Sequence, residues 1–112
     1  MKQIEIILPH ERLSKVNDIL FKHKVGGMMF HEIKGRGRAE REATVIIDHR
    51  NRALYGSRTR VDVMVSDSMS KQIVDEIIRY LSTGSASDGK IFVKDISEVY
   101  DIGSGQHGEM AL

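Results

Sequence analysis

Near its start the chain alternates. Ile4, Ile6 and Leu8 fall on one side of an extended backbone and Glu5 and Ile7 on the other, the two-residue period of a β-strand. Pro9 breaks that run, and residues 10–23 change to a helical period. There Leu13, Val16, Leu20 and Phe21 make an apolar stripe, leaving Glu11, Lys15, Asn17 and Lys22 for solvent. Gly26-Gly27 closes the unit, and residues 28–33 read as a second strand. The cleanest alternation covers residues 57–65, with Thr59, Val61, Val63 and Val65 against Arg58, Arg60, Asp62 and Met64. Ser66-Asp67-Ser68 then supplies side chains able to cap a helix start. The helix they open runs to about Ser82 on a stripe of Ile73, Val74, Ile77, Ile78 and Leu81. Residues 90–94 form a fourth strand, and residues 99–102 are a candidate short fifth. The order β-α-β-β-α-β predicts an α+β domain of ferredoxin-like pattern, with helices on one face of an antiparallel sheet. That pattern hosts many functions and decides none.

Composition narrows the classes. The 112 residues fit a single domain, 1–112, whose small core would gain from oligomerisation. A hydrophobic share of 40% beside 29% charged residues is ordinary for a globular chain. The net charge of +1 gives no electrostatic reason to expect nucleic acid or a membrane surface as partner. The absence of cysteine removes disulfides, thiol catalysis and thiolate metal sites together. No apolar run approaches a spanning length and the first residues do not read as a signal peptide, so a cytoplasmic location without membrane insertion is expected.

Between Ile33 and Arg58 the chain is far longer than a hairpin needs. Lys34, Arg36, Arg38, Arg41, Arg50 and Arg52 outnumber Glu40, Glu42 and Asp48 there, and Val45-Ile46-Ile47 adds an apolar patch. Long loops inside compact domains are usually functional or disordered; a segment ordered by a ligand or partner is the favoured reading here, and a solvated, mobile hairpin tip is the alternative.

Two glycine-and-cation clusters bracket the sheet. Gly84-Ser85-Ala86-Ser87-Asp88-Gly89-Lys90 has the spacing G-x-x-x-x-G-K, but it follows a helix and opens a strand. A nucleotide-hydrolase P-loop does the reverse, and Ile91 stands where its magnesium-binding hydroxyl belongs. Hydrolase chemistry is therefore not expected. Two readings stay open for the segment: backbone N–H groups and Lys90 gathering an anion, or a helix end closed by Gly84 and followed by a turn. Lys34-Gly35-Arg36-Gly37-Arg38 is the second cluster, and two such clusters favour a phosphate ligand more than either alone. His10, His23, His31, His49 and His107 show no metal-ligand spacing, and no catalytic constellation can be assembled.

Thr83-Gly84 followed by Asp88-Gly89-Lys90-Ile91-Phe92-Val93 resembles the signature of the PII nitrogen-regulatory signalling proteins. Glu32-Ile33-Lys34-Gly35-Arg36-Gly37-Arg38, the opening Met1-Lys2-Gln3-Ile4-Glu5 and the ending at Gly108-Glu109 and Ala111-Leu112 are also similar to that family. The resemblance implies a ferredoxin-like homotrimer with adenine nucleotides (ATP, ADP or AMP) bound in clefts between subunits. It also implies that a T-loop, here about residues 36–56, docks onto an ammonium or other membrane transporter or onto a metabolic enzyme. The cleft positions it assigns are Gly35, Gly37, Arg38, Asp62, Met64, Ser87, Asp88, Gly89 and Lys90, with no catalytic residue and no resident metal. Gly37 and Gly89 would offer N–H groups to phosphate, and Arg38 and Lys90 charge-assisted bonds.

This chain departs from the family at several of those positions. Asp101 and Gly103 replace the usual pair of phosphate-binding arginines, Ser87 a glycine, Asp62 a glutamate near the adenine, and Ala39 a glutamine that helps hold magnesium and 2-oxoglutarate. Each lost charge-assisted bond is worth roughly 1.5–3 kcal/mol, so triphosphate affinity should fall about tenfold to several hundredfold. Sensing of 2-oxoglutarate with magnesium is not expected, and Asn51 excludes uridylylation at the usual tyrosine. Two alternatives are a divergent sensor of carbon status, using ADP or AMP with bicarbonate or another metabolite, and a ferredoxin-like RNA-binding domain. The second would need aromatic stacking residues on its sheet, and three Phe and three Tyr with no Trp supply few.

Overall fold

The computed structural model describes residues 1–36 and 56–112. Gly37, Arg38, Ala39, Asn51, the Val45-Ile46-Ile47 patch and nearly all of the 36–56 loop lie outside the described residues.

Four strands form one antiparallel sheet in the order β2-β3-β1-β4: β1 (Lys2–Leu8), β2 (Met29–Gly35), β3 (Gly56–Val65) and β4 (Lys90–Asp95). Helices α1 (Leu13–Lys22) and α2 (Asp67–Leu81) complete the β-α-β-β-α-β order. Pro9 ends β1 with extended backbone, and the chain enters α1 through a 3-10 turn, His10–Arg12, not the continuous helix the periodicity predicts. Ser66 caps α2, its hydroxyl accepting from the Met69 N–H at 3.4 Å.

The alternation in β1 and β3 fixes their faces. Ile4, Ile6 and Leu8 pair with Val63, Val61 and Thr59, and all six are buried under the helices. Val16, Ile19 and Leu20 of α1 and Ile73, Ile77 and Leu81 of α2 close the core. Phe21, assigned by spacing to the α1 stripe, is 81% exposed. At about 100° per residue it lies roughly 150° from the centre of the face set by Val16, Ile19 and Leu20. Ile78 is likewise at the flank of α2 and half exposed.

Residues 99–102 do not form a fifth strand. A single bridge joins Tyr100 to His107, whose rings lie 5.6 Å apart, and the chain between them is a self-contained turn. Asp101 Oδ1 accepts from the Ser104 N–H at 2.8 Å, and the Asp101 N–H donates to Gln106 O at 2.8 Å. The side chain thus takes over bonding that a strand would give to a neighbour.

Candidate functional site

Among the described residues, one face of the sheet carries no helix. Two carboxylates, Glu5 and Asp62, stand opposite each other at its centre, both less than 9% exposed. Arg60 lies between them, with Nη2 3.1 Å from Glu5 Oε2 and Nε 3.0 Å from Asp62 Oδ2. Lys94 Nζ donates to Glu5 at 2.9 Å, and Gln3 Nε2 donates to Asp62 Oδ1 at 2.9 Å. Two cations therefore balance two anions, which is what permits the carboxylates to be buried. The bond to Asp62 holds the Arg60 guanidinium above its ordinary pKa. Asp62, the residue assigned to the adenine, is thus already engaged by Gln3 and Arg60. The same pair of carboxylates occupies the middle of the face on which an RNA-binding module would stack bases.

The segment after α2 is organised by Asp88. Its carboxylate accepts from the Thr83 hydroxyl at 2.6 Å, the Thr83 N–H at 2.7 Å and the Ser85 N–H at 3.3 Å. Those bonds, the hydroxyl first, hold the acid below the usual carboxylate range. Ser87 closes the turn locally, its hydroxyl 2.7 Å from that of Ser85. Gly84 does not cap α2: the helix ends at Leu81 with Ser82 extended, and Gly84 takes φ +80° further on. Gly89 has φ +127°, and a Cβ there would stand 2.0 Å from Ile7 O. Only a residue without a side chain can bring the loop so close to β1. Lys90 follows, paired with Ile7 and exposed. A groove of about 580 Å³ runs from this loop between α2 and β4, apolar along Ile78, Ile91 and Val93 and polar at the Ser85–Lys90 end.

The predicted site residues fall into two groups on one chain. Gly35, Ser87, Asp88, Gly89 and Lys90 lie at the sheet end where β1 and β2 finish and β3 and β4 begin. Asp62 and Met64 lie toward the other end of β3, opposite Glu5 and Gln3. From the register, Lys90 and Asp62 are two rows and two strands apart, roughly 12 Å between backbones, and Met64 is roughly 17 Å away. Asp101 and Gly103 sit in the C-terminal turn, where Asp101 is held below the usual carboxylate range by the Ser104 N–H. Arg12, Thr83, Arg60 and Gln3 have no counterpart among the predicted site residues. The partners of Arg12 and Gln3 are long-range and carry no signal in the spacing, whereas Thr83 bonds Asp88 five residues on and Arg60 bonds Asp62 on the same strand face, spacings the sequence does contain.

Fold and loops together define the class: a ferredoxin-like α+β module with a glycine-and-lysine loop at one end of its sheet and a closed ion network on its open face. Sequence comparison gives the family. The family model described as "Nitrogen regulatory protein P-II" matches residues 1–106. The chain is 30% identical over 112 residues to nitrogen regulatory protein P-II of Klebsiella oxytoca and to nitrogen regulatory protein P-II 1 of Escherichia coli, covering all of each chain. It is 32% identical over 115 residues to nitrogen regulatory protein P-II 2 of Methanothermobacter thermautotrophicus, covering all of this chain and 97% of that one. The chain belongs to the P-II family, a family of signalling regulators that act on partner proteins.

Proposed function

We propose that this P-II protein binds adenine nucleotides in clefts between copies of itself, as a homotrimer. In this reading it regulates a membrane transporter or metabolic enzyme of nitrogen metabolism through residues 36–56. The observation that carries the proposal is the division of the site. Lys90 with the Gly89 loop, and Asp62 with Met64, sit at different places on one chain's sheet. One ligand can meet both groups where the loop end of one copy faces the β3 end of the next. The outer strands β2 and β4 support self-association, since among the described residues each ends the sheet and exposes apolar side chains, Met29 and Phe30 on one and Phe92 and Val93 on the other. Among the described residues no helix is long and apolar enough to cross a membrane, so a transporter would be met as a separate partner.

The C-terminal turn favours a nucleotide with few phosphates. Asp101 spends its carboxylate on Ser104 and adds a negative charge where the family places arginines, which disfavours a triphosphate more than a monophosphate. ADP or AMP is therefore the expected ligand, and a carbon-linked metabolite such as bicarbonate is a natural co-effector to test. Calorimetric titration with ATP, ADP and AMP, each with and without magnesium plus 2-oxoglutarate, tests the proposal. Binding of ADP or AMP at least as tight as ATP, unchanged by 2-oxoglutarate, is the expected result. ATP binding that tightens with 2-oxoglutarate would overturn the ligand preference, and no nucleotide binding would overturn the site.

A further inference from the structure

A phosphate held by the Gly89 N–H and Lys90 would sit in an electrostatically poor place. The loop leaves the C-terminus of α2, the negative end of a 15-residue helix dipole. It also carries a carboxylate, Asp88, next to Gly89. Each repels an anion, and together they are the reverse of the helix N-terminus on which phosphate loops usually rest.

Arg12 covers both. From the 3-10 turn ahead of α1, its Nη1 donates to the carbonyl of Leu81, the last residue of α2. Its Nη2 lies 3.8 Å from Asp88 Oδ1. Both side chains are largely withdrawn from solvent, 28% exposed for Arg12 and 21% for Asp88, so water screens the pair only in part. The carboxylate itself is turned inward, onto Thr83 and Ser85. The guanidinium is thus held by Leu81 and Asp88, while Lys90 at the start of β4 is exposed.

We infer that Arg12 is a positioning residue for the anion site of the 84–90 loop, cancelling the negative potential of the α2 terminus and Asp88 without touching the ligand. The inference rests on the phosphate-binding role proposed for that loop. A guanidinium suits the task better than an ammonium, because its fork bonds a carbonyl and faces a carboxylate at once.

The test is titration of Arg12→Ala, Arg12→Lys, Arg12→Ala/Asp88→Asn and Lys90→Ala with AMP, ADP and ATP, with a thermal melt of each variant. Arg12→Ala should weaken AMP by about threefold and ATP by about tenfold or more, because the uncovered repulsion grows with ligand charge. Arg12→Lys should recover most of the loss, and Asp88→Asn added to Arg12→Ala part of it. A loss equal for the three nucleotides, or no loss, would overturn the inference, since a purely structural role has no reason to follow ligand charge. Should Arg12→Ala melt below the assay temperature, Arg12→Gln keeps a donor for Leu81 and removes the charge, and the same grading is expected of it. Lys90→Ala separates the two levels. If it abolishes binding while Arg12→Ala does nothing, the inference alone fails. If it too does nothing, or the parent protein binds no nucleotide, the phosphate-loop role fails with it.

Discussion

Gly89 and Gly35 look alike in the sequence, each a glycine beside a cation at the edge of a predicted phosphate site, and the structure separates them. A Cβ on Gly89 would meet Ile7 O at 2.0 Å, Ile7 C at 3.1 Å and Leu8 Cα at 3.2 Å, all backbone atoms of the central strand β1. Nothing there can rotate away, and φ +127° is strained for any side chain. Among the described residues, Gly35 has no atom within 4 Å of the corresponding position. Gly89→Ala is therefore expected to destabilise the fold by about 3 kcal/mol or more, read in a denaturant or thermal melt. Gly35→Ala should leave the melt unchanged, and any loss of nucleotide affinity it causes then reports on close ligand approach. A Gly89→Ala protein that melts with the parent would contradict the loop's seat on β1. The same lesson holds at Asp62 and Asp88. Their types and positions were legible as site candidates, but the bonds that occupy them come from Gln3, Arg60 and Thr83 and depend on strand register and loop closure.

At the scale of elements, the strands read well because period two leaves little freedom. Once Val61 and Val63 are buried, Arg60, Asp62 and Met64 must face the other way, as they do. The helices read less well at their flanks. Phe21 is as apolar as Leu20, yet a rotation of one residue carries it from the core side into solvent. The candidate fifth strand failed for a different reason: Asp101 and Ser104 bond within the turn and satisfy backbone groups that pairing would have used. Contacts between helices were not legible at all. Glu76 of α2 accepts from Lys22 Nζ at 2.6 Å and meets His23 Nε2, joining the end of α1 to α2 across more than fifty residues. The Lys22 bond first, and His23 after it, hold the Glu76 carboxyl below its usual value. A folded pKa lower than the unfolded one contributes stability that is complete above the unfolded value, about 4.3, and is lost as pH falls through the folded value. Glu76→Gln should therefore flatten the acid limb of the melting-temperature profile. Between about pH 5 and pH 3 the variant should lose fewer degrees than the parent, and parallel profiles would show that the clamp does not carry charge-dependent stability.

For the whole molecule, the question is how a sheet that shows, among the described residues, two open edges and an open face completes itself. The two edges are chemically different: β2 offers Met29 and Phe30, β4 offers Phe92 and Val93. A contact of one kind of edge with the other is heterologous, so each copy keeps one edge free until a ring closes. If the nucleotide bridges two copies as proposed, closing the ring is also what completes its site. Assembly and nucleotide binding are then one property, and they should fail together. Phe30→Glu on β2 and Val93→Glu on β4, both on the helix side of the sheet, are each expected to lower the light-scattering mass from three times the monomer value toward one, with far-UV circular dichroism unchanged. Both variants should also lose nucleotide affinity, although neither residue was assigned to the site. Equal effects from the two edges are the mark of a heterologous ring. Loss of mass from one edge alone would point to an isologous contact through that strand. A trimer that survives both substitutions would place the contact on the open face around Glu5, Arg60 and Asp62. In that case the buried ion network, and not the edges, would have to hold the copies together.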